Sequence, residues 1–545
     1  MITQLTIAIW PAVILDDGMG GKMFRKAAIG RIMAVMAVTF LLVGSVFTAG
    51  AQGGGALRVG MDVPVVLDPA QGSNDPEVAL NVAIYDRLVD IGTDASINAN
   101  LASDWAVSDD GLTYTFTLVE GVTFQDGSPF TAADVVFTFN RLKEVGSAAT
   151  RLLGDFAVAA DGDYAVTFTI SQPNADFLYG VGSQLSSIIK DGTAEPNVIV
   201  EGDNPYANFN GTGPFVLQSL DANAGGRAVL VRNANYWKAG EPALDQLEFV
   251  YFSGDIITQL DALNSGEVDL IFKVPLTQVA DGVADGLTVI EAITGQHAAI
   301  RLRADIEPGN NPLVREAFKY ATNRDELNDL LLDGRGTVGN NDPIGPAYGA
   351  FFDNMLENQS YDAQRSCDLL AEAGYPDGLN LTLYAPIVFE YADLAVVLQD
   401  QWEAGCINVE VETVEPGLYY DTSNAVNYCD VALGITGWGH RPTPQLFLLQ
   451  GYVTSAIDEG CINGYNDAHF SDAELDDLVA QAGVTADPAA RAAIYHQIEV
   501  IFRDRGPVIV PYFAPLIGVA RDTVQNLNLD PFPGLTDYRM VSVEG

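Results

Sequence analysis

The chain has 545 residues, and Asp and Glu outnumber Lys and Arg by 72 to 27, a formal net charge of −45. So acidic a chain has no basic surface with which to displace phosphate counterions, which excludes nucleic-acid partners and argues against anionic membrane surfaces. Hydrophobic residues make up 48% of the chain, enough at this length to fill two cores; the acidity reads as a solubility device.

Arg25, Lys26 and Arg31 form a basic segment, and residues 32–46 form an apolar run of signal-peptide length, too short for a membrane span. Ala49-Gly50-Ala51 is a small-x-small site, so cleavage after Ala51 and a mature chain from Gln52 are expected. Residues 1–51 are thus read as an N-terminal extension and leader, with Met23 an alternative start. No cysteine stands beside the cleavage site, so no lipid anchor is expected, and export makes disulfides permissible.

Residues 56–60 read as the first strand of the mature chain, and Leu67-Asp68-Pro69 as a turn. Residues 72–76 form a polar loop holding Asn74, followed by a helix over 76–88. Asp109-Asp110-Gly111 is a turn signal. Leu112, Tyr114, Phe116 and Leu118 then alternate with threonines, a strand with one buried face. Val122 and Phe124, leading into the Asp126-Gly127 turn, are expected to be its hairpin partner. Thr131 precedes Asp134 by three, a capping-box start for a helix with Val135, Phe139 and Leu142 on one stripe.

Further strands are expected at residues 164–170, 379–384, 409–414 and 508–513. Helices are expected at 314–331, 361–377, 394–404, 472–482 and 495–502. Gly374 is a natural helix C-cap with Pro376 beyond it. The alternation of strands and helices argues an α/β architecture.

Residues 83–142, in their order of strand, turn and capped helix, resemble the signature region of family-5 solute-binding proteins. These are the extracytoplasmic receptors of peptide, dipeptide and nickel ABC importers. The matching positions are Leu101-Ala102, Trp105, Asp110-Gly111, Tyr114-Thr115-Phe116, Asp126-Gly127, Thr131-Ala132 and Asp134-Val135, with Gln125 where histidine is common. Downstream, Gly211-Thr212-Gly213-Pro214-Phe215, Asn235-Tyr236-Trp237 and Gly266-Glu267-Val268-Asp269 follow in the family's order.

The resemblance implies a two-lobe α/β periplasmic-binding-protein fold, type II-like, of the large cluster with an extra subdomain in lobe I and the ligand cleft between lobes. Lobe I would cover 52–293, with the subdomain at about 85–206. Lobe II would cover 294–511, and 512–545 would return to lobe I. The crossings are expected near 294–301 and 508–513.

The implied function is capture of a peptide-like or other small polar solute and delivery to a membrane permease, by a monomer without cofactor or catalysis. A secreted hydrolase is the rival class, but the sequence holds no GxSxG elbow, HExxH helix or P-loop. A sensor or chaperone on the same fold is the third.

The candidate ligand loop is 437–444, GWGHRPTP. Trp438 offers a rigid apolar wall with one donor. In peptide-binding relatives an aspartate of this segment pairs with the ligand's amino terminus. Here Arg441 stands at about that place, after His440. An arginine cannot neutralise an ammonium group; its planar fork suits a carboxylate, a phosphate or sugar hydroxyls. The other reading is an Arg441 paired with a local acidic residue.

Further candidates carried by the resemblance are Gln296 and His297 on the first crossing, Tyr512 and Phe513 on the second, Phe389 and Glu390 after the 379–384 strand, and Asn74. His297 and His440 are more simply structural than metal ligands, and no metal site is expected. Cys367, Cys406, Cys429 and Cys461 allow three pairings among which the sequence does not choose. Joining Cys367 to Cys406 and Cys429 to Cys461 would staple neighbouring segments of one lobe.

Overall fold

The computed structural model describes residues 54–193, 195–254, 256–279, 282–458, 461 and 464–544. The leader, its cleavage site and Met23 lie outside the described residues.

A seven-stranded sheet carries the first lobe, in the order Leu287–Ala292, Leu516–Arg521, Leu270–Phe272, Ala56–Asp62, Gln246–Phe252, Arg227–Arg232 and Phe215–Leu220. The parallel pair at its centre sets Val59 against Phe249, both fully buried. Such a pair is covered on both faces, so Gln246–Phe252 is nearly continuous in apolar residues rather than alternating.

Helix Asp75–Ile84 covers this sheet, started by Asn74 and Glu77 in a capping box. It stops four residues short of the expected end. Tyr85 is extended, and the Ile84 carbonyl accepts from the Gly213 N–H (2.9 Å) rather than continuing the helix. A side chain at Gly211 would lie 2.0 Å from that carbonyl oxygen, so only glycine permits the approach.

A separate antiparallel sheet of Ala102–Val107, Thr113–Leu118, Ala165–Ile170 and Phe156–Ala160 forms a smaller body. Its central strand buries Tyr114, Phe116 and Leu118 against helix Ala132–Glu144, whose Phe139 meets Phe168 edge to face at 4.8 Å. The helix begins with the Thr131–Asp134 capping box. The expected hairpin with Val122 and Phe124 does not form. Thr113–Leu118 already has a neighbour on each edge, so these two residues are core side chains of a loop with one isolated bridge, Thr123 to Pro129.

The second lobe is built on Thr337–Val338, Tyr512–Phe513, His297–Leu302, Leu433–Trp438, Leu379–Pro386 and Ile407–Val414, with Val508–Ile509 also on His297–Leu302. Pro511 has no N–H, which divides the expected 508–513 strand in two. The amphipathic stretch 314–331 is likewise two helices, Pro312–Tyr320 and Arg324–Leu332. Asn323 breaks it by accepting from Glu326 N as a new N-cap.

The chain leaves the first sheet after Ala292 and enters the second at His297; it returns between Phe513 and Leu516. The two crossings bond to each other. Thr294 Oγ1 donates to Ala514 O at 2.6 Å and Ala514 N donates to Gln296 O at 2.8 Å. Cys367 is bonded to Cys406, and Cys429 to Cys461. Among the described residues, no helix is long and apolar enough to cross a membrane.

Candidate functional site

Strand Leu433–Trp438 ends at the mouth of the second sheet, and helix Pro444–Gly451 starts where Thr443 Oγ1 accepts from Gln445 N. Gly439, His440, Arg441 and Pro442 are the turn between them. Facing that turn is the short helix Thr150–Leu153 of the smaller body. Between the two lies a cavity of about 620 Å³. Ala148, Arg151 and Leu152 form one wall; Tyr420, Tyr428, Trp438, Arg441, Tyr465 and Asp467 form the other. A second chamber of about 200 Å³ shares Ala148, Leu152, Arg441 and Leu446 with the first and extends to Tyr179 and Asp530, so Arg441 stands at the junction. Burial pushes the Asp530 carboxyl up to about 6.

Arg441 is half-buried, and its guanidinium lies 5.9 Å from the Trp438 ring centre. Its Nη1 donates to the carbonyls of His440 (3.1 Å) and Gly439 (3.4 Å). Among the described residues no carboxylate lies within ion-pair distance of it. Burial lowers its pKa, so the charge is held at a cost that a bound anion would offset.

His440 stacks on Tyr348 (5.7 Å, 8° between planes), and its Nδ1 accepts from Gly295 N at 3.0 Å. An accepting Nδ1 makes the ring neutral, and burial, with Arg441 beside it, lowers its pKa to about 4. Asp467 sits at the cavity floor with Oδ2 2.9 Å from Arg301 Nε and 3.2 Å from Thr436 Oγ1. Burial raises its pKa, while Arg301 works against the rise.

The disulfide shapes the aromatic wall. Cys429 follows Tyr428, whose hydroxyl donates to Cys461 O at 3.2 Å, and Tyr465 lies just beyond Cys461. The bond therefore fixes the two segments that carry these tyrosines. The same sulfurs lie within 4.8 Å of a His469 ring nitrogen, but sulfurs joined to each other are not thiolate ligands.

The structure brings Trp438, His440 and Arg441 together and takes most other candidates elsewhere. His297 is 1% exposed, bonds Gly295 O through Nδ1 and packs between Phe447 and Phe513. Tyr512 and Phe513 are core residues of the second sheet, and Tyr512 donates to Glu390 at 2.8 Å. Phe389 is 71% exposed in a left-handed conformation against Tyr391. Gln296 lies on the crossing, and Asn74 is occupied with Glu77 at its helix start. None of these lines either chamber.

Arg151, Tyr420, Tyr428, Tyr465 and Asp467 were not expected. The cysteine spacing held a signal for Tyr428 and Tyr465, since pairing Cys429 with Cys461 brings them together. Nothing in the local pattern around Arg151 marks it.

Residues 96–459 match the pattern of "Bacterial extracellular solute-binding proteins, family 5 Middle". Heme-binding protein A of Haemophilus influenzae is 28% identical over 496 residues, covering 85% of this chain and 87% of that protein. The dipeptide-binding protein of Escherichia coli K12 is 26% identical over 496 residues, covering 86% and 90%. The structure of HbpA2 from Haemophilus parasuis superposes with a TM-score of 0.77 at 25% identity, covering 90% of this chain and all of that one. With the two-sheet architecture, the paired crossings and a cavity between opposing walls, these matches place the molecule among binding proteins rather than enzymes: the chain belongs to the bacterial extracellular solute-binding proteins of family 5.

Proposed function

We propose that this chain is a monomeric, exported receptor of an ABC importer that captures a small polar solute through an anionic group and delivers it to the membrane permease. Arg441 carries the reading: a half-buried guanidinium at the junction of two chambers, with no carboxylate partner among the described residues. The similarity to a dipeptide-binding protein supports a peptide-sized solute. The arginine argues against a free ammonium group at that point, because the two would repel in a low-dielectric site. A solute touching both walls favours the closed arrangement by its differential contacts, and closure is what a permease would read. In this reading the lobes meet at the two crossings, with Tyr512–Phe513, expected in the returning tail, paired within the second sheet, and no cofactor is required.

The test is native mass spectrometry of protein purified from its own host, followed by competition binding. The expected outcome is a retained anionic solute, displaced by other anions and not by peptides with free amino termini. Peptides with free amino termini outcompeting every anion would overturn the reading.

A further inference from the structure

The arginines of the described residues divide into those answered by carboxylates and those not. Arg301 meets Asp467, Arg491 meets Asp176 and Arg141 meets Asp68. Among the described residues, Arg151, Arg315, Arg324 and Arg441 have no carboxylate within ion-pair distance. Two of these lie away from both chambers: Arg315 donates to Gly309 O, with its Nε left without a partner among the described residues, and Arg324 donates to Asn341 Oδ1 and Gln359 O. The two that remain, Arg151 and Arg441, line the same 620 Å³ cavity from opposite walls. Arg151 is exposed on helix Thr150–Leu153, and its side chain has no hydrogen bond among the described residues. With 72 acidic residues against 27 basic ones, a guanidinium left unanswered is an exception, and here two exceptions share one space.

The cavity's own acid does not cancel them. Asp467 is held by Arg301, which is itself fully buried, so that pair is close to neutral. The space is left with two uncompensated positive charges, one on each wall. Tyr420, Trp438 and Tyr465 supply aromatic surface in the same space, the Trp438 and Tyr465 rings meeting edge to face at 6.3 Å.

We propose that the ligand is a dianion with two separated anionic groups, carboxylate or phosphate, on a flat or apolar body: one group on Arg441, the other on Arg151, and the body against the aromatic side chains. This deepens the receptor reading and rests on it. The arrangement explains how one charge could be told from two. A monoanion makes its ion pair on one wall and gains no second one from the other, so closure adds only its uncharged contacts. A dianion makes its second ion pair only when the walls approach, so its affinity for the closed arrangement exceeds that for the open one. A desolvated Arg–carboxylate pair also discriminates strongly against an uncharged ester in its place.

The test uses the full chain with α,ω-dicarboxylates from glutarate to sebacate, terephthalate, and ω-phosphonocarboxylates of the same lengths, each beside its monomethyl ester. Thermal shift and calorimetry read affinity; small-angle scattering reads closure. At least one dianion is expected to bind more than tenfold more tightly than its half-ester and to reduce the radius of gyration where the half-ester does not. The carboxylate and phosphonate arms separate the two chemistries. Arg151→Gln and Arg441→Gln are each expected to bring the dianion down to the half-ester's affinity, with unliganded melting temperature unchanged. A preference that survives Arg151→Gln overturns the two-wall proposal and leaves Arg441 as anchor. A preference that survives Arg441→Gln overturns Arg441 as the anchor, and with it the proposed function that rests on that residue. Failure of every dianion in the set to bind overturns the proposal.

Discussion

Arg301 and Arg441 belong to the same sheet region and to opposite regimes. Arg301 lies on the central strand, opposite Gly434, fully buried, with Asp467 at 2.9 Å and the Val431 carbonyl at 2.9 Å from its nitrogens. Arg441, just past the end of the neighbouring strand, is half-buried and meets only the carbonyls of its own turn. The first guanidinium has its counter-charge inside the fold, although its Nε and Nη2 make no hydrogen bond among the described residues; the second has no counter-charge there. The difference teaches that a charge's partners, more than its burial, tell whether it serves the fold or waits for a solute.

The contrast is sharpest when the ion-paired site is broken. Arg301→Ala leaves Asp467 buried without its cation, which should cost on the order of 3–5 kcal/mol in urea unfolding. A cost below about 1 kcal/mol would dissolve the distinction. Next comes the disulfide under the aromatic wall. Replacing Cys429 and Cys461 together by serine opens a loop with a sequence separation of 32 and should cost about 2–4 kcal/mol. Ligand affinity should fall as well, because Tyr428 and Tyr465 lose their fixed spacing; unchanged affinity would show that the wall stands without the bond.

A smaller effect concerns acid. His440 is neutral in the folded chain, with its pKa lowered by burial and by Arg441 to about 4 from the ordinary 6.5. A lowered folded-state value means the unfolded chain binds the proton more readily. The stability His440 contributes is therefore complete above pH 6.5 and lost as the pH falls through about 4. Denaturation between pH 7 and 4 should be less pH-dependent in His440→Asn by roughly 1–3 kcal/mol. Equal slopes in the two proteins would refute this. The smallest stability effect is the most informative. Arg441→Gln should change unfolding by less than about 0.5 kcal/mol, since no ion pair is lost, while anion affinity falls more than tenfold.

Local signals carried much of the fold. The threonine-alternating strand Thr113–Leu118 and the Thr131–Asp134 cap are complete within a few residues, so their physics is visible in the chain. The end of helix Asp75–Ile84 is not, because what stops it is a pair of glycines more than a hundred positions later. The single helix expected over 314–331 is two, because Asn323 accepts from Glu326 N and starts the second. In the candidate site, Trp438 and Arg441 were legible together because the strand end and the turn that carry them are adjacent in the chain. His297, Tyr512 and Phe513 lie away from both chambers for a topological reason: the first crossing leads straight into the sheet's central strand, where all six residues of His297–Leu302 are buried, and Phe513 pairs with His297. Arg151 was illegible because a different body of the fold presents it.

The crossings carry a last consequence. Two separate tethers would let one lobe swing, slide and twist against the other. Here Thr294 and Gln296 are bonded to Ala514, so the tethers form one narrow ribbon. A ribbon bends easily across its flat face and resists shear and torsion. Motion of the lobes is thereby confined close to a single rotational degree of freedom. Few relative orientations remain to be lost when a solute is captured, so the entropy of ordering the lobes takes little from the affinity, and each opening presents the walls in nearly the same register.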